Sequence, residues 1–166
     1  MRNSSHPITK KQKLSFIFNG KKYFGFKGDT LASALVANNV KTVGRSFKYH
    51  RPRGIFSAGS EEPNALVEIG EGAFREPNTK ATDVELFDGL QASSQNFLGS
   101  VNFDLMAIND LLKNFIGAGF YYKTFMWPKS FWYKVYEPFI RKAAGLGVAS
   151  IKHDKERYEH KYEYCD

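Results

Sequence analysis

Residues 44–67 read GRSFKYHRPRGIFSAGSEEPNALV. The stretch is basic and aromatic as far as Arg53, glycine-containing to Gly59, acidic at Glu61 and Glu62, and apolar from Ala65. A connection of this length is usually functional or a docking surface. Upstream of it, Leu14, Phe16 and Phe18 alternate with Ser15 and Ile17, which is a strand pattern. Asn19-Gly20 follows, the pair that best tolerates the two positive φ angles of a type I′ hairpin turn. Lys21–Phe26 reads as the returning strand. Gly28-Asp29-Thr30 then opens a helix, with Asp29 or Thr30 able to cap it and Leu31/Leu35 forming an i,i+4 apolar pair. Asn38-Asn39 ends that helix. Downstream, Ala65, Val67 and Ile69 alternate with Leu66 and Glu68, predicting another strand.

A hairpin, one helix, a long loop and further strands is the order of a β-grasp domain, an α+β fold. The long loop carries a second signal. Ser57, Glu62 and Ala65 stand at the offsets of a C-x4-C-x2-C plant-type [2Fe–2S] ligand loop, and none of the three is cysteine. The loop therefore reads as a cluster loop whose ligands are gone, with no metal expected. Beyond it, Gly70-Glu71-Gly72 predicts a turn and residues 75–80, containing Pro77 and Asn78, a loop. Residues 84–87 read as a short strand that turns at Asp88-Gly89 and pairs with residues 90–93. The β-grasp unit is expected to span 13–96, after a flexible tail over 1–12.

The composition changes after residue 96. Leu105, Ile108, Leu112 and Phe115 share one helical face over 104–116, with Gly117 as the stop. Ten of the twenty residues from 120 to 139 are aromatic. Ser130 can cap a helix over 131–137, and Pro138 kinks it or starts the next piece, which ends at Gly145. This helical connector, 97–150, is too short to bury ten aromatic rings within itself, so part of the set is expected to face the β-grasp unit and part a partner. Residues 151–166 form a charged linker.

The chain has 166 residues, 42% of them hydrophobic, enough for a real core. Its formal charge is +7, unevenly placed: residues 1–53 hold twelve Lys/Arg and one acid, Asp29. This asymmetry calls for anionic surroundings, and Arg45, Lys48, His50, Arg51 and Arg53 are the candidate anion or interface contacts. The alternative role for them is structural, satisfying loop carbonyls or pairing with Glu61 or Glu62. They match no nucleic-acid-binding module, so nucleic acid is not expected as a partner. No apolar run approaches the ~20 residues of a membrane helix, and no secretory h-region is present; a cytoplasmic protein with no membrane partner is expected. Cys165 is the single cysteine and has no evident activating neighbour. His153, His160 and Cys165, near Asp154 and Glu159, match no standard zinc spacing. Neither a G-x-G-x-x-G fingerprint nor a Walker loop is present.

Several motifs in one order resemble the N-terminal region of the alpha subunit of heterotetrameric sarcosine oxidase. They are GDTLASAL at 28–35, GRSFKYHRPRGI at 44–55, EEPNALV at 61–67, AGFYYKTFMWP at 118–128, and Tyr136-Glu137-Pro138 followed by IRKAAGLG at 140–147. The resemblance implies a ferredoxin-like β-grasp domain that has lost its cluster cysteines, as at Ser57, Glu62 and Ala65. In that family a dinucleotide-binding domain and a folate-binding domain come next, and residues 162–166 stand where the first strand of the dinucleotide fold would begin. The family reaction demethylates sarcosine oxidatively to glycine, with peroxide formed from oxygen and the methyl carbon passed to tetrahydrofolate. The resemblance places FAD in the beta subunit, FMN at the alpha–beta interface and NAD in alpha, with none expected in this segment. The implied partners are the remaining alpha domains and the beta, gamma and delta subunits. The family's amine-oxidising residues do not fall on this segment, so no catalytic residue is expected here and the segment alone should be inactive. The alternative is a [2Fe–2S]-type electron-transfer module of an amine or amino-acid dehydrogenase.

Overall fold

The computed structural model describes residues 12–115, 117, 119, 125, 127–153 and 160–164. Strands β1 (Lys13–Phe18) and β2 (Lys21–Phe26) form the expected antiparallel hairpin. Asn19 and Gly20 take φ angles of 51° and 74°, the two positive values that this turn requires. Leu14, Phe16 and Phe18 point into the core while Ser15 and Ile17 do not, as the alternation demands.

Helix α1 (Leu31–Ala37) begins at Thr30. The Thr30 Oγ1 accepts from the Ser33 N–H and the Ser33 Oγ accepts from the Thr30 N–H, both at 3.1 Å, so two otherwise orphaned donors are satisfied reciprocally. Asp29, just before the cap, is buried and accepts from the Phe26 N–H at 2.9 Å, pinning the strand-to-helix corner. Leu31, Ala32, Ala34 and Leu35 form the buried face of α1. Close approach to β2 depends on Gly25: a Cβ there would collide with Leu86 Cδ2 and lie 3.1 Å from Ala34 Cβ.

Strands β3 (Gly44–Arg45) and β4 (Pro52–Arg53) make a two-residue antiparallel ribbon outside the main sheet. The main sheet is completed by β5 (Leu66–Ile69), β6 (Glu76–Lys80) and β7 (Leu90–Ser94), in the order β2-β1-β7-β5-β6. β1 and β7 run parallel, with Phe16 opposite Leu90, and the other pairs are antiparallel. A mixed sheet with its first and last strands parallel at the centre and one helix across it is the β-grasp, ferredoxin-like fold. Its core joins Leu14, Phe16 and Phe18 to Leu31, Leu35, Val67 and Leu90.

Two local expectations fail here. Residues 76–80 form an edge strand rather than a loop. Pro77 is tolerated because it falls at a register shift on that edge, where no ladder N–H is needed. Residues 84–87 do not pair with β7. The carbonyl of Val84 accepts from the Leu31 N–H and the Leu86 N–H donates to the Asp29 carbonyl, so this segment straps the start of α1. β7 is taken by β1 and β5 instead.

Beyond the sheet, Asp104 accepts from the Met106 N–H at 3.0 Å and caps a 3₁₀ turn (Leu105–Ala107), which runs into a single turn of helix, α2 (Ile108–Leu111). The helix expected over 104–116 is thus shorter, and Leu105, Ile108, Leu112 and Phe115 remain exposed. A 3₁₀ turn (Lys129–Phe131), a π-helical turn (Trp132–Tyr136) and α3 (Glu137–Ala143) follow, ending at Gly145 with φ 66°. Pro128, not Ser130, precedes the first turn, and Pro138 sits in the first turn of α3, where its missing N–H costs nothing.

Candidate functional site

The loop between β4 and β5 is built around a carboxylate. Glu62 is 2% exposed and ranks among the largest fully buried side chains. Its Oε2 accepts from the N–H groups of Phe56 at 2.7 Å and Ser57 at 2.5 Å, and its Oε1 from the N–H of Asn64 at 2.8 Å. Burial raises the pKa of this carboxyl, but the backbone donors at Ser57, Asn64 and Phe56 outweigh it and hold the group below the ordinary carboxylate range. Lys80, reaching over from β6, donates to the Ser60 carbonyl. Ala65 is fully buried at the loop's end, and its carbonyl accepts from the Ala81 N–H at 2.8 Å.

These residues do not fit a [2Fe–2S] cluster. The three ligand offsets carry a hydroxyl at Ser57, a methyl at Ala65 and a carboxylate at Glu62 that is turned onto its own backbone. Such clusters are held by four thiolates, or by thiolates with imidazoles, and the chain contains one cysteine, Cys165. Ser57 is half-buried, with its Oγ enclosed beside the Glu61 and Glu62 carboxylates, where it helps to hold the pKa of both below the ordinary range.

The basic half of the long loop folds over the start of the connector. His50 is 3% exposed, adopts φ 53°, and its Nδ1 lies 2.7 Å from Asp104 Oδ2. Asp104 Oδ1 accepts from the N–H groups of Leu98 at 2.9 Å and Met106 at 3.0 Å. Burial opposes ionisation of Asp104, yet these two donors and the His50 imidazole keep its pKa below the ordinary value. With Asp104 ionised, His50 Nδ1 carries the proton and donates. The His50 Nε2 is buried without a partner among the described residues.

Around this joint, Arg45 donates from Nε to the Val101 carbonyl at 2.7 Å and from Nη1 to the His50 carbonyl at 3.0 Å. Lys48 donates to the Gly117 carbonyl at 2.8 Å. Arg51 grips Asp110 with Nε and Nη2 at 2.7 and 2.5 Å, and its guanidinium lies 4.8 Å from the Tyr49 ring centre. Arg53, on β4, is exposed at the rim of a cleft of about 290 Å³ that also takes in Phe47, Asn78, Asn96 and the turn at Gly145.

Four of the five basic candidates are therefore brought together, and each has a partner within the chain itself. Neither Glu61 nor Glu62 is their counterion: His50 faces Asp104 and Arg51 pairs with Asp110, while Arg45 and Lys48 donate to backbone carbonyls. Sequence reading missed both aspartates because they lie 54 and 59 residues from their partners. His153 and His160 are exposed, whereas Asp154, Glu159 and Cys165 lie outside the described residues. Among the described residues, no three His, Cys, Asp or Glu are grouped to hold a metal ion. No described helix is long and apolar enough to cross a membrane.

Comparison with known proteins agrees with this architecture. Residues 11–97 match the family model for a 2Fe-2S iron-sulfur cluster binding domain. Over 153 residues the chain is 60% identical to sarcosine oxidase subunit alpha of Rhizobium meliloti (strain 1021), covering 92% of this chain and 16% of that protein. The subunit alpha of Corynebacterium sp. (strain U-96) is 42% identical over 95 residues, 55% of this chain and 10% of that protein. Among solved structures, L-proline dehydrogenase from P. horikoshii aligns with a TM-score of 0.40 and 26% identity, over 54% of this chain and 17% of that one. The chain spans only a small part of the length of these curated relatives. By the family-model match over residues 11–97 and the 60% identity over 92% of its length, it belongs to the 2Fe-2S iron-sulfur cluster binding domain family and is a homologue of sarcosine oxidase subunit alpha.

Proposed function

We propose that this chain is a catalytically silent, N-terminal portion of a sarcosine oxidase alpha subunit, whose role is to support assembly of a flavin complex. The observation that carries the reading is the 60% identity over 92% of the chain, to a protein named for that subunit. Two features of the fold support it. The loop with cluster-ligand spacing has replaced its thiolates with Ser57, Glu62 and Ala65, so the domain keeps the ferredoxin-like scaffold without its redox centre. The connector carries exposed apolar groups, among them Trp127, Phe131, Tyr133 and Phe139, which suit a surface covered by protein in an assembly. In this reading the partners are further alpha-subunit domains and the beta, gamma and delta subunits, in the cytoplasm. FAD, FMN, NAD and tetrahydrofolate belong to those other parts. They supply the amine oxidation and the one-carbon transfer, while this segment positions its neighbours.

The second reading, a [2Fe–2S] electron-transfer module, has the family match over residues 11–97 in its favour. One experiment separates the two. The 166-residue chain, purified without air, is assayed for iron, visible absorbance and sarcosine-dependent peroxide, then co-expressed with the remaining alpha sequence and the other subunits of a homologous enzyme. The assembly role predicts no stoichiometric iron and no peroxide from the chain alone, with incorporation into the complex on co-expression. Stoichiometric iron with a cluster spectrum would establish the electron-transfer reading, and peroxide from the chain alone would overturn both.

A further inference from the structure

A carboxylate buried without a cation is among the least favourable groups a protein can hold, unless hydrogen bonds satisfy it. No described ion pair involves Glu62; its carboxylate accepts from three backbone N–H groups, of Phe56, Ser57 and Asn64, with the Ser57 hydroxyl beside it. Converging backbone N–H groups of a loop form an anion-binding concavity. Here the anion is tethered to the loop that binds it. Glu62 also stands at the middle offset of the ligand pattern, so the residue whose thiolate would have brought negative charge and a metal bond brings negative charge alone.

The rest of the loop gives this carboxylate little competition as an organiser. Phe56 is 82% exposed, so its ring does not fix the backbone whose N–H it contributes. Ile55 packs against the core on one side and Ala65 is buried on the other. Between them, Lys80 holds the Ser60 carbonyl from outside and the exposed Glu61 folds back toward Gly59, so Glu62 is the buried acceptor of the loop, and its own N–H closes a turn on the Gly59 carbonyl at 3.1 Å.

We infer that Glu62 is a built-in anionic plug: it fills a backbone cradle specific for a small carboxylate, and so keeps a cluster-type loop in shape without metal. The cradle, once emptied, is a binding site for a free carboxylate such as formate or acetate. This inference goes beyond the assembly role and rests on loop geometry alone, so neither fails with the other.

The test is amide hydrogen exchange at Phe56, Ser57 and Asn64 in the full 166-residue chain, followed by NMR. In the wild type these amides should exchange at least about tenfold more slowly than in Glu62→Ala, the factor expected for losing a buried charge-assisted bond. Sodium formate should restore protection to Glu62→Ala saturably, sodium chloride at equal ionic strength should not, and the wild type should respond to neither. Glu62→Gln keeps the volume but offers one oxygen. It should lose protection at Asn64 or at the Phe56/Ser57 pair, not at all three, and formate should not restore it. The inference is overturned if the wild-type amides exchange like exposed loop amides, or if formate does no more than chloride. Should Glu62→Ala fail to fold, the wild-type and Gln chains decide: protection at all three sites in Glu62→Gln equal to wild type would overturn it equally.

Discussion

The sheet unit and the connector obey the same rules of chain geometry and end in opposite states. In residues 13–94, Leu14, Phe16, Phe18, Leu31, Leu35, Val67 and Leu90 lie in one closed core. In residues 97–153, only Val101 and Ala144 among the described apolar groups are buried, while Leu105, Ile108, Leu111, Trp127, Tyr133 and Phe139 are exposed. The difference is one of layers. A sheet with a helix across it encloses a volume, whereas short helical pieces strung along a chain do not. The first region contains its own stabilising contacts; the second holds apolar surface that no face among the described residues covers. The two meet at a polar joint, where His50 and Asp104 are buried together.

The sharpest way to break this contrast is to empty the closed core. Phe16 is buried and stacked on Tyr23 at 5.8 Å between ring centres, so Phe16→Ala should destabilise the chain by about 3–5 kcal/mol. Urea unfolding followed by circular dichroism measures it; a shift below about 1 kcal/mol would mean that the core is not the organising contact. Next comes the joint. Asp104→Ala strands two backbone N–H groups and the His50 ring, and should cost about 3 kcal/mol. Because the loss centres on the joint, exchange of the Leu98 and Met106 amides should accelerate before that of the β1–β7 ladder.

Acid probes the same carboxylates without mutation. Asp104 and Glu62 have folded pKa values below their ordinary ones, so the stability they contribute is present above about pH 4 and is lost as the pH falls through their folded values. The urea midpoint should therefore drop steepening below about pH 4, and Asp104→Ala should show a shallower drop. A midpoint that rises on acidification would contradict the geometry of both sites. The smallest effect belongs to the connector's surface: Phe139→Ser should change stability by no more than about 0.5 kcal/mol, and should instead lower self-association of the isolated chain in sedimentation. A large loss of stability would show that α3 is packed as firmly as the sheet.

Legibility in the sequence follows the range of the interactions. The Asn19-Gly20 turn and the Thr30 cap are decided within four residues, and both stand where local chemistry puts them. β6 was obscured because Pro77 and Asn78 look like loop residues until the strand is known to lie on an edge. The false hairpin over 84–93 came from a sound local pattern overruled by β7 joining β1, 74 positions away at Phe16 and Leu90. Glu62 was visible as a missing cysteine, but a carboxylate folding onto its own backbone leaves no periodicity to read. The same holds for Asp104 and Asp110, chosen by distant loop residues.

The parallel pairing of β1 with β7 also sets the order in which the domain can be made. The β1–β2 hairpin and α1 are complete within the first forty residues, yet the inner edge of β1 has no partner until Leu90 has left the ribosome. At about 5–20 residues per second, that edge waits for several seconds with Phe16 and Phe18 beside it. During synthesis the nascent chain is thus an open half-sheet, and its most apolar strand is the one longest without cover. Slowing translation between β2 and β7 should raise aggregation in the cell and leave the finished protein unchanged.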